Sequence, residues 1–440
     1  MAELKFTDRW QSHRMGSLFS ENTNKNSALT RTNALKFTYG TIVNKPKTEL
    51  TEDVINTYKK YTQVDKNDII INCLNLNYDF VSQRVAIVPY NGIITSAYIA
   101  IKSRSIDLNP MFYCYYLKAM DARKMLHGMG TGIRLTLSYK ELRNLILPVP
   151  PRTEQDQIVR FLDWKVSEIN KLIGIWKKEI KNLEALKRSY ICSVVMGQEY
   201  KSMKKAILNW SNTIPADWIE APLIQYAYEQ TVKNTGLQEK NLLSLSYGKI
   251  KRKDINTTDG LLPSSFDGYQ IVEKGNIILR LTDLQNDQKS LRTGLVTERG
   301  IITSAYTCLR ARTGILPEYL QLELHVADLC KVFYGMGGGV RQSIGFKDIK
   351  RMIIAVPPIE EQKEILQKVH KLDIPIDKEI GRYRSIIETL EELKKTIISD
   401  VVTGKIDVRN VDIPTYEHLD EVEEPDEDAE ASDGEEEREE

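Results

Sequence analysis

Ile93-Ile94-Thr95-Ser96-Ala97-Tyr98 returns unchanged as Ile301-Ile302-Thr303-Ser304-Ala305-Tyr306. Outward from this stretch the matches continue in order. Gly128-Met129-Gly130 recurs as Gly335-Met336-Gly337, Arg134 as Arg341, Pro150-Pro151 as Pro357-Pro358, Glu154-Gln155 as Glu361-Gln362, and Gly197 as Gly404. Upstream, Trp10 matches Trp218 and Tyr39-Gly40 matches Tyr247-Gly248. The offset is 208 before a helix expected near residue 115 and 207 after it, so the second copy lacks one residue. The chain is a tandem duplication of a unit of about 200 residues, too long for a solenoid repeat.

Each unit has two parts. The first is about 150 residues of mixed character. Its short β-branched runs, such as Asp68-Ile69-Ile70-Ile71 and Asn276-Ile277-Ile278-Leu279, read as strands. One moderate helix is expected over 109–126, with Pro110 at its start and Gly128 beyond its end. A Pro-Pro break follows, and then a long helix. In the first copy this helix is expected over 154–196, stopped by Gly197. Leu162, Ile169, Trp176, Leu183 and Tyr190 form one seven-residue series; Val166, Ile173, Ile180, Lys187 and Val194 form the other. The second copy gives Val369, Ile376, Tyr383, Leu390, Ile397 and Asp373, Ile380, Ile387, Lys394, Val401. This is the apolar pattern of a coiled-coil seam. Lys187 and Lys394 interrupt it at equivalent places. Either they are polar seam residues that fix register, or the helix phase differs slightly and Leu186 and Leu393 pack instead.

A helix over 154–196 rises ~64 Å at ~1.5 Å per residue, more than a globule of ~150 residues buries alone. It must pack on another long helix, and the nearest is its own copy. The expected class is α+β: two mixed domains and two long helices forming an antiparallel coiled coil, with pseudo-two-fold symmetry. Pro375 opposes this, because it removes a backbone donor; the second long helix is expected to be kinked or to begin only near Asp377. The expected boundaries are 1–150, 151–207, 208–357, 358–410 and a tail from 411 to 440.

Composition bounds the rest. With 440 residues, 41% hydrophobic and 28% charged, the chain is globular. Cys73, Cys114, Cys192, Cys308 and Cys330 are scattered and never at metal-ligand spacing, which argues against a disulfide framework or a zinc site and for a reducing cytosol. No apolar run approaches the ~18 residues of a membrane span. The first ten residues carry charges where a secretory signal needs an apolar core, so a cytoplasmic chain is expected. The net charge of zero averages unlike regions. Glu417 to Glu440 holds 15 Asp/Glu and one basic residue, Arg438. Residues 1–416 then carry 60 Lys+Arg against 46 Asp+Glu, about +14. A basic body is the footprint of a polyanion binder. The tail is expected to be disordered, either aiding solubility or competing as a DNA mimic for the basic surface.

Two mixed domains alternating with two helical segments, each opening on Pro-Pro and Glu-Gln and closing on Val194-Val195-Met196-Gly197 or Val401-Val402-Thr403-Gly404, resemble the DNA-specificity subunit of type I restriction-modification enzymes. The resemblance covers nearly all of residues 1–410; the acidic tail lies outside the family pattern. It implies that each mixed domain is a target-recognition domain reading one half of a split, asymmetric double-stranded DNA site. It further implies that the helices set the unread spacer and dock two methyltransferase subunits, through which two motor-nuclease subunits join. The chain itself would be non-catalytic and carry no cofactor.

Base readout needs bidentate Arg, Asn, Gln or Lys on a presented edge, and phosphate contact needs Lys or Arg. Four segments offer these. Lys45 and Lys47 follow Tyr39-Gly40; Asn75, Asn77, Tyr78, Gln83 and Arg84 follow a strand. In the second copy Lys249, Lys251, Arg252 and Lys253 follow Tyr247-Gly248; Arg280, Asp283, Gln285, Asn286 and Lys289 follow the matching strand. The bland alternative is solvated basic loops. The Gly-rich loops 128–134 and 335–341 lack the strand, helix and Lys-Ser/Thr ending of a nucleotide loop. They suit a close backbone approach to DNA with Arg134 and Arg341 as contacts, or a helix stop and tight turn.

Asn109-Pro110-Met111-Phe112 is similar to the Asn-Pro-Pro-aromatic box of adenine methyltransferases, but the second Pro is absent and the second copy reads Leu316-Pro317-Glu318-Tyr319. It is read as a helix start. His13, His127, His325, His370 and His418 form no triad or metal signature. A self-sufficient methyltransferase and a coiled-coil scaffold without a DNA role are the alternatives.

Overall fold

The computed structural model describes residues 4–38, 40–46, 48–74, 76, 83–129, 136–255, 265–284, 291–336 and 343–418. The chain divides into two compact units, residues 1–177 with 383–440, and residues 178–382. Both long helices run without interruption, Arg152–Val195 and Ile359–Val402, and the division falls within each of them.

In the first unit the two helix halves run antiparallel. The rings of Trp176 and Tyr383 lie 4.8 Å apart, and Lys394 Nζ donates to Asn170 Oδ1 at 3.3 Å. Beyond the second helix the chain continues along the start of the first, where Gln157 Nε2 donates to the carbonyls of Val408 at 3.0 Å and Val411 at 2.8 Å. In the second unit Lys187 Nζ meets Asp377 at 2.7 Å and Asp373 at 3.4 Å, while Lys368 pairs with Glu199 at 2.6 Å. One residue number falls as the other rises in both units.

The seam lysines are settled by burial. Lys394 is only 9% exposed and Lys187 is half-buried, whereas Leu186 and Leu393 are 55% and 46% exposed. The lysines occupy the seam and the leucines do not replace them. The expectation that the second helix starts near Asp377 is wrong: it starts at Ile359 and includes Pro375. Pro375 removes the donor for the carbonyl of Lys371, and both residues are exposed, so water can satisfy that oxygen.

Each globule is built to the same plan. In the first, a four-stranded antiparallel sheet has the order Phe19–Glu21, Ile99–Ser103, Ile69–Ile71, Val85–Ile87. In the second, the order is Ala227–Glu229, Thr307–Ala311, Ile277–Leu279, Thr293–Leu295. The central runs are apolar throughout because both faces are covered. Ile69 and Ile71 join the main core with the helix Pro110–Ala122, while Ile70 faces a smaller core with Leu35, Ile42 and Val64. Ile277 and Leu279 against Ile278 repeat the division. The residue missing from the second copy falls between the strand Thr307–Ala311 and the helix Pro317–Leu329, where Gly314 takes φ +95°.

The repeated motifs are joints between globule and helix. The Gln155 side chain accepts from the Asn109 backbone at 2.8 Å and donates to the Pro150 carbonyl at 2.8 Å. Gln362 accepts from Leu316 at 2.8 Å and donates to Pro357 at 2.9 Å. Both glutamines are buried, so each satisfies backbone groups that water cannot reach. At the far helix ends Gly197 (φ +65°) and Gly404 (φ +71°) close Schellman turns, with Gln198 donating to Ser193 and Lys405 to Asp400. Trp218 stacks against Gly197 and Trp10 against Gly404.

A Cβ on Gly404 would lie 2.6 Å from Thr7 Cγ2 and 2.9 Å from the Trp10 ring, in a backbone conformation that L-residues resist. Gly404→Ala should therefore cost roughly 2–5 kcal/mol. Thermal melting of the full chain checks this; an unchanged melting temperature would mean that the Trp10 joint does not form.

Candidate nucleic-acid interface

The second globule carries a hairpin, Leu243–Ser246 paired with Lys249–Arg252. Its two turn residues, Tyr247 at φ +48° and Gly248 at φ +75°, both take positive φ. That is a two-residue turn whose twist matches the flanking strands. The first globule has the same hairpin, Leu35–Thr38 with Thr41–Asn44, and Gly40 at φ +79°. The duplicated Tyr-Gly is thus a turn signal. Tyr247 is 78% exposed, so the turn presents an aromatic ring at the hairpin tip. Sequence reasoning used this tyrosine only as a landmark, although Tyr-Gly before a basic strand could have marked it.

Lys249, Lys251 and Arg252 are all exposed on the return strand of this hairpin. Lys249 Nζ lies 2.8 Å from Asp377. Arg252 grips Glu298 with two bonds, Nε to Oε1 at 2.7 Å and Nη2 to Oε2. Each group shifts the other toward the charged form: the guanidinium is raised and the Glu298 carboxyl lowered. In the first unit Thr41, Asn170 and Lys394 stand at the places of Lys249, Asp377 and Lys187. There they line a cavity of about 600 Å³. Lys45 is half-buried, with Nζ 3.4 Å from the Tyr61 hydroxyl and 5.8 Å from its ring centre.

Arg84 does not face outward. It is 1% exposed, and its guanidinium Nη1 donates to the carbonyls of Leu74 at 2.6 Å and Asn72 at 3.3 Å. Its backbone N–H donates to buried Asp121 at 2.7 Å. Burial raises the Asp121 carboxyl, and the Arg84 N–H and charge pull it back down. Arg292 repeats the arrangement: 0% exposed, Nη1 to the carbonyls of Thr282 at 2.8 Å and Arg280 at 3.1 Å, and its N–H to Asp328 at 2.7 Å. The expectation of Arg84 as a DNA contact is corrected on this ground. Its Nη1 is turned onto carbonyls inside the fold, and it ties Asn72 and Leu74 to the start of the strand Val85–Ile87. Arg280 is half-buried in the same joint.

The polar stretches singled out from sequence follow these joints in the chain. Asn75, Asn77, Tyr78, Gln285 and Asn286 lie outside the described residues, as do Lys47, Arg134, Lys289 and Arg341. The chain from Leu419 onward, most of the acidic tail, does too.

No arrangement suited to catalysis emerges among the described residues. Asn109 caps its helix, accepting from Met111 N at 3.0 Å, and donates to Asp156 at 2.7 Å. Among them no group of three or more His, Cys, Asp and Glu could hold a metal ion. No helix described is long and apolar enough to cross a membrane. Two strong shifts belong to groups of the helix Pro317–Leu329. Burial pushes the Glu323 carboxyl up to about 8 and the His325 imidazole down to about 4. Glu323 accepts from the Ala355 N–H at 2.9 Å inside the packed core.

The family model described as type I restriction modification DNA specificity domain matches residues 7–185 and 296–386. The chain belongs to that family. It is 24% identical over 376 residues to the type I restriction enzyme MjaVIII specificity subunit of Methanocaldococcus jannaschii, covering 80% of this chain and 84% of that one. It is 22% identical over 298 residues to the EcoBI specificity subunit of Escherichia coli, covering 61% and 60%. A solved chain from work on complex assembly and conformational transition of a type I restriction-modification system aligns over 91% of this chain and 100% of that one. The TM-score is 0.63 at 13% identity, a likeness of fold.

Two outcomes follow from the burial pattern. Arg84→Ala keeps the backbone bond to Asp121 but leaves two buried carbonyls without their partner and a void where the side chain lay, and should cost about 2–4 kcal/mol of stability. A DNA-contacting arginine would instead weaken DNA binding and leave the melting temperature unchanged. For Glu323, the folded carboxyl holds its proton up to about pH 8, while the unfolded one loses it near the ordinary value of 4.5. The folded state binds the extra proton between these values, so stability falls as pH rises through that window and levels off above it. Glu323→Gln should remove that fall, which melting temperatures at pH 5.5 and pH 8.5 will compare with the parent chain.

Proposed function

We propose that this chain is the DNA-reading, non-catalytic subunit of a type I restriction-modification complex. Residues 1–150 and 208–357 act as two target-recognition domains. Each reads one half of a bipartite, asymmetric double-stranded site, and the paired long helices fix the unread spacer. Other faces of those helices dock two methyltransferase subunits, and two motor-nuclease subunits join through them. The modification and cleavage activities belong to the assembled complex in the cytoplasm, and this chain needs no cofactor of its own.

One observation carries the reading: two copies of one scaffold hold unlike side chains at the same presented places. Thr41 stands where the second copy has Lys249, and Val43 where it has Lys251. Reading heads that share a frame but differ in their edges suit a site that is not a palindrome. In the second domain Lys249, Lys251, Arg252 and the exposed Tyr247 ring form the hairpin contact, and Arg280, Gln285, Asn286 and Arg341 contribute further DNA contacts. In the first, Lys45, Lys47, Asn75, Asn77, Tyr78 and Arg134 do the same work, and Arg84 acts as a positioning residue.

With its methyltransferase partners, the chain should protect a split site, with log affinity falling linearly as log salt rises. Lys251→Ala should weaken binding about equally on all sequences and lower the salt slope by about 1. Exchanging residues 1–150 for another recognition domain should change one half of the methylated sequence and keep the other. A flat salt response, or a swap that alters both halves, would overturn the proposal.

A further inference from the structure

Two of the five cysteines, far apart in sequence, meet in the second unit. Cys192 sits on the first long helix and Cys330 caps the helix Pro317–Leu329. Each thiol perturbs the ionisation of the other, which sets the two side chains next to one another. The surrounding backbone is held close independently. Arg188, one turn before Cys192, donates from its guanidinium to the Leu329 carbonyl at 2.5 Å, and the Cys330 N–H donates to the Val326 carbonyl at 2.9 Å. The first unit has the same joint with other chemistry: Arg123, equivalent to Cys330, donates to the hydroxyl of Ser399, equivalent to Cys192, at 2.7 Å. Cys330 is exposed and Cys192 half-buried, while Cys73, Cys114 and Cys308 are buried.

We propose that Cys192 and Cys330 form a redox-modification site, a dithiol that low-molecular-weight disulfides of the glutathione class convert to an internal disulfide. The Cys330 thiolate attacks one sulfur of the oxidant. A bond forms from Cys330 Sγ to that sulfur, the oxidant's own S–S bond breaks, and the released thiolate takes up a proton. The Cys192 thiolate then attacks Cys330 Sγ, forms the Cys192–Cys330 bond and expels a second small thiol. The two cysteines lose two electrons and two protons, and one disulfide becomes two thiols. The product ties the central helix of the second globule to the long helix. Burial raises both thiols, Cys192 to about 11, so exchange is slow near neutral pH and quickens as pH rises.

The test equilibrates the full chain in buffers of reduced and oxidised glutathione, blocks remaining thiols, and maps peptides by mass spectrometry. The expected product is a Cys192–Cys330 linked peptide, absent after dithiothreitol, with Cys73, Cys114 and Cys308 blocked only after unfolding. Cys192→Ser should accumulate glutathione on Cys330 instead, and Cys330→Ser should lose the linked peptide. A parent chain that keeps glutathione on Cys330 beside a free Cys192, or shows no linked peptide at any ratio, overturns the proposal. So does a Cys192→Ser chain that gathers no glutathione at Cys330.

Discussion

Everything in this molecule depends on the burial of two apolar helix seams that no globule of this size covers alone. Each long helix spans 44 residues, and neither unit holds more than part of each. A seam residue such as Ile173 or Ile380 is buried because the antiparallel partner supplies the other wall. The first unit is consequently discontinuous in sequence, whereas the second is the continuous stretch 178–382. Each unit's core combines the start of the helix that follows its globule with the end of the other one. Ile158 and Leu162 share a core with Val401 and Val402, and Ile365 and Val369 share one with Val194 and Val195. The Gly-Trp and Gln joints sit where these helix ends enter the globules, which is why those motifs survive in both copies.

Comparison of the copies separates scaffold from variable chemistry. The Arg84–Asp121 and Arg292–Asp328 staples, the buried glutamines and the Schellman glycines recur with nearly the same bonds. Other equivalent places have diverged. Lys187 faces two aspartates where Lys394 has Asn170 and Val166. Glu323 stands where the first copy has Tyr116, and two thiols stand where it has Arg123 and Ser399. The kept set satisfies buried backbone groups, and a lost partner there costs the full desolvation of a polar atom. The changed set lies where another pair of side chains can satisfy the same space.

Much of this was legible in the residues. The duplication, the long helices and their seam follow from offsets of 208 and 207 and from a seven-residue period, and those signals are local or self-referential. Pro375 misled because a proline argues against a helix interior only when the freed carbonyl is buried, and sequence does not give that exposure. Arg84 misled for the opposite reason. An arginine beside asparagines and a tyrosine reads as a surface cation, and its partner Asp121 is a helix away. The same blindness applies to the thiols: nothing in the spacing of Cys192 and Cys330 brings them together. Tyr247 was in plain view, but its exposure depends on a turn geometry that Tyr-Gly alone only suggests.

The pairing of the hairpin cations bears on how a reading surface can be both ordered and available. Lys249 and Arg252 are held by the half-buried Asp377 and Glu298, yet both cations are largely in contact with water. An exposed ion pair adds little to stability, so exchanging a carboxylate for a phosphate costs little. The carboxylates fix the direction of two long, rotamer-rich side chains before an anion arrives, which lowers the ordering cost at binding. A buried arginine such as Arg292 could not make that exchange, because its carbonyl partners would be left unsatisfied inside the fold. Order at the tip through weak exposed pairs, and order at the loop base through strong buried ones, is the division of labour that this architecture permits.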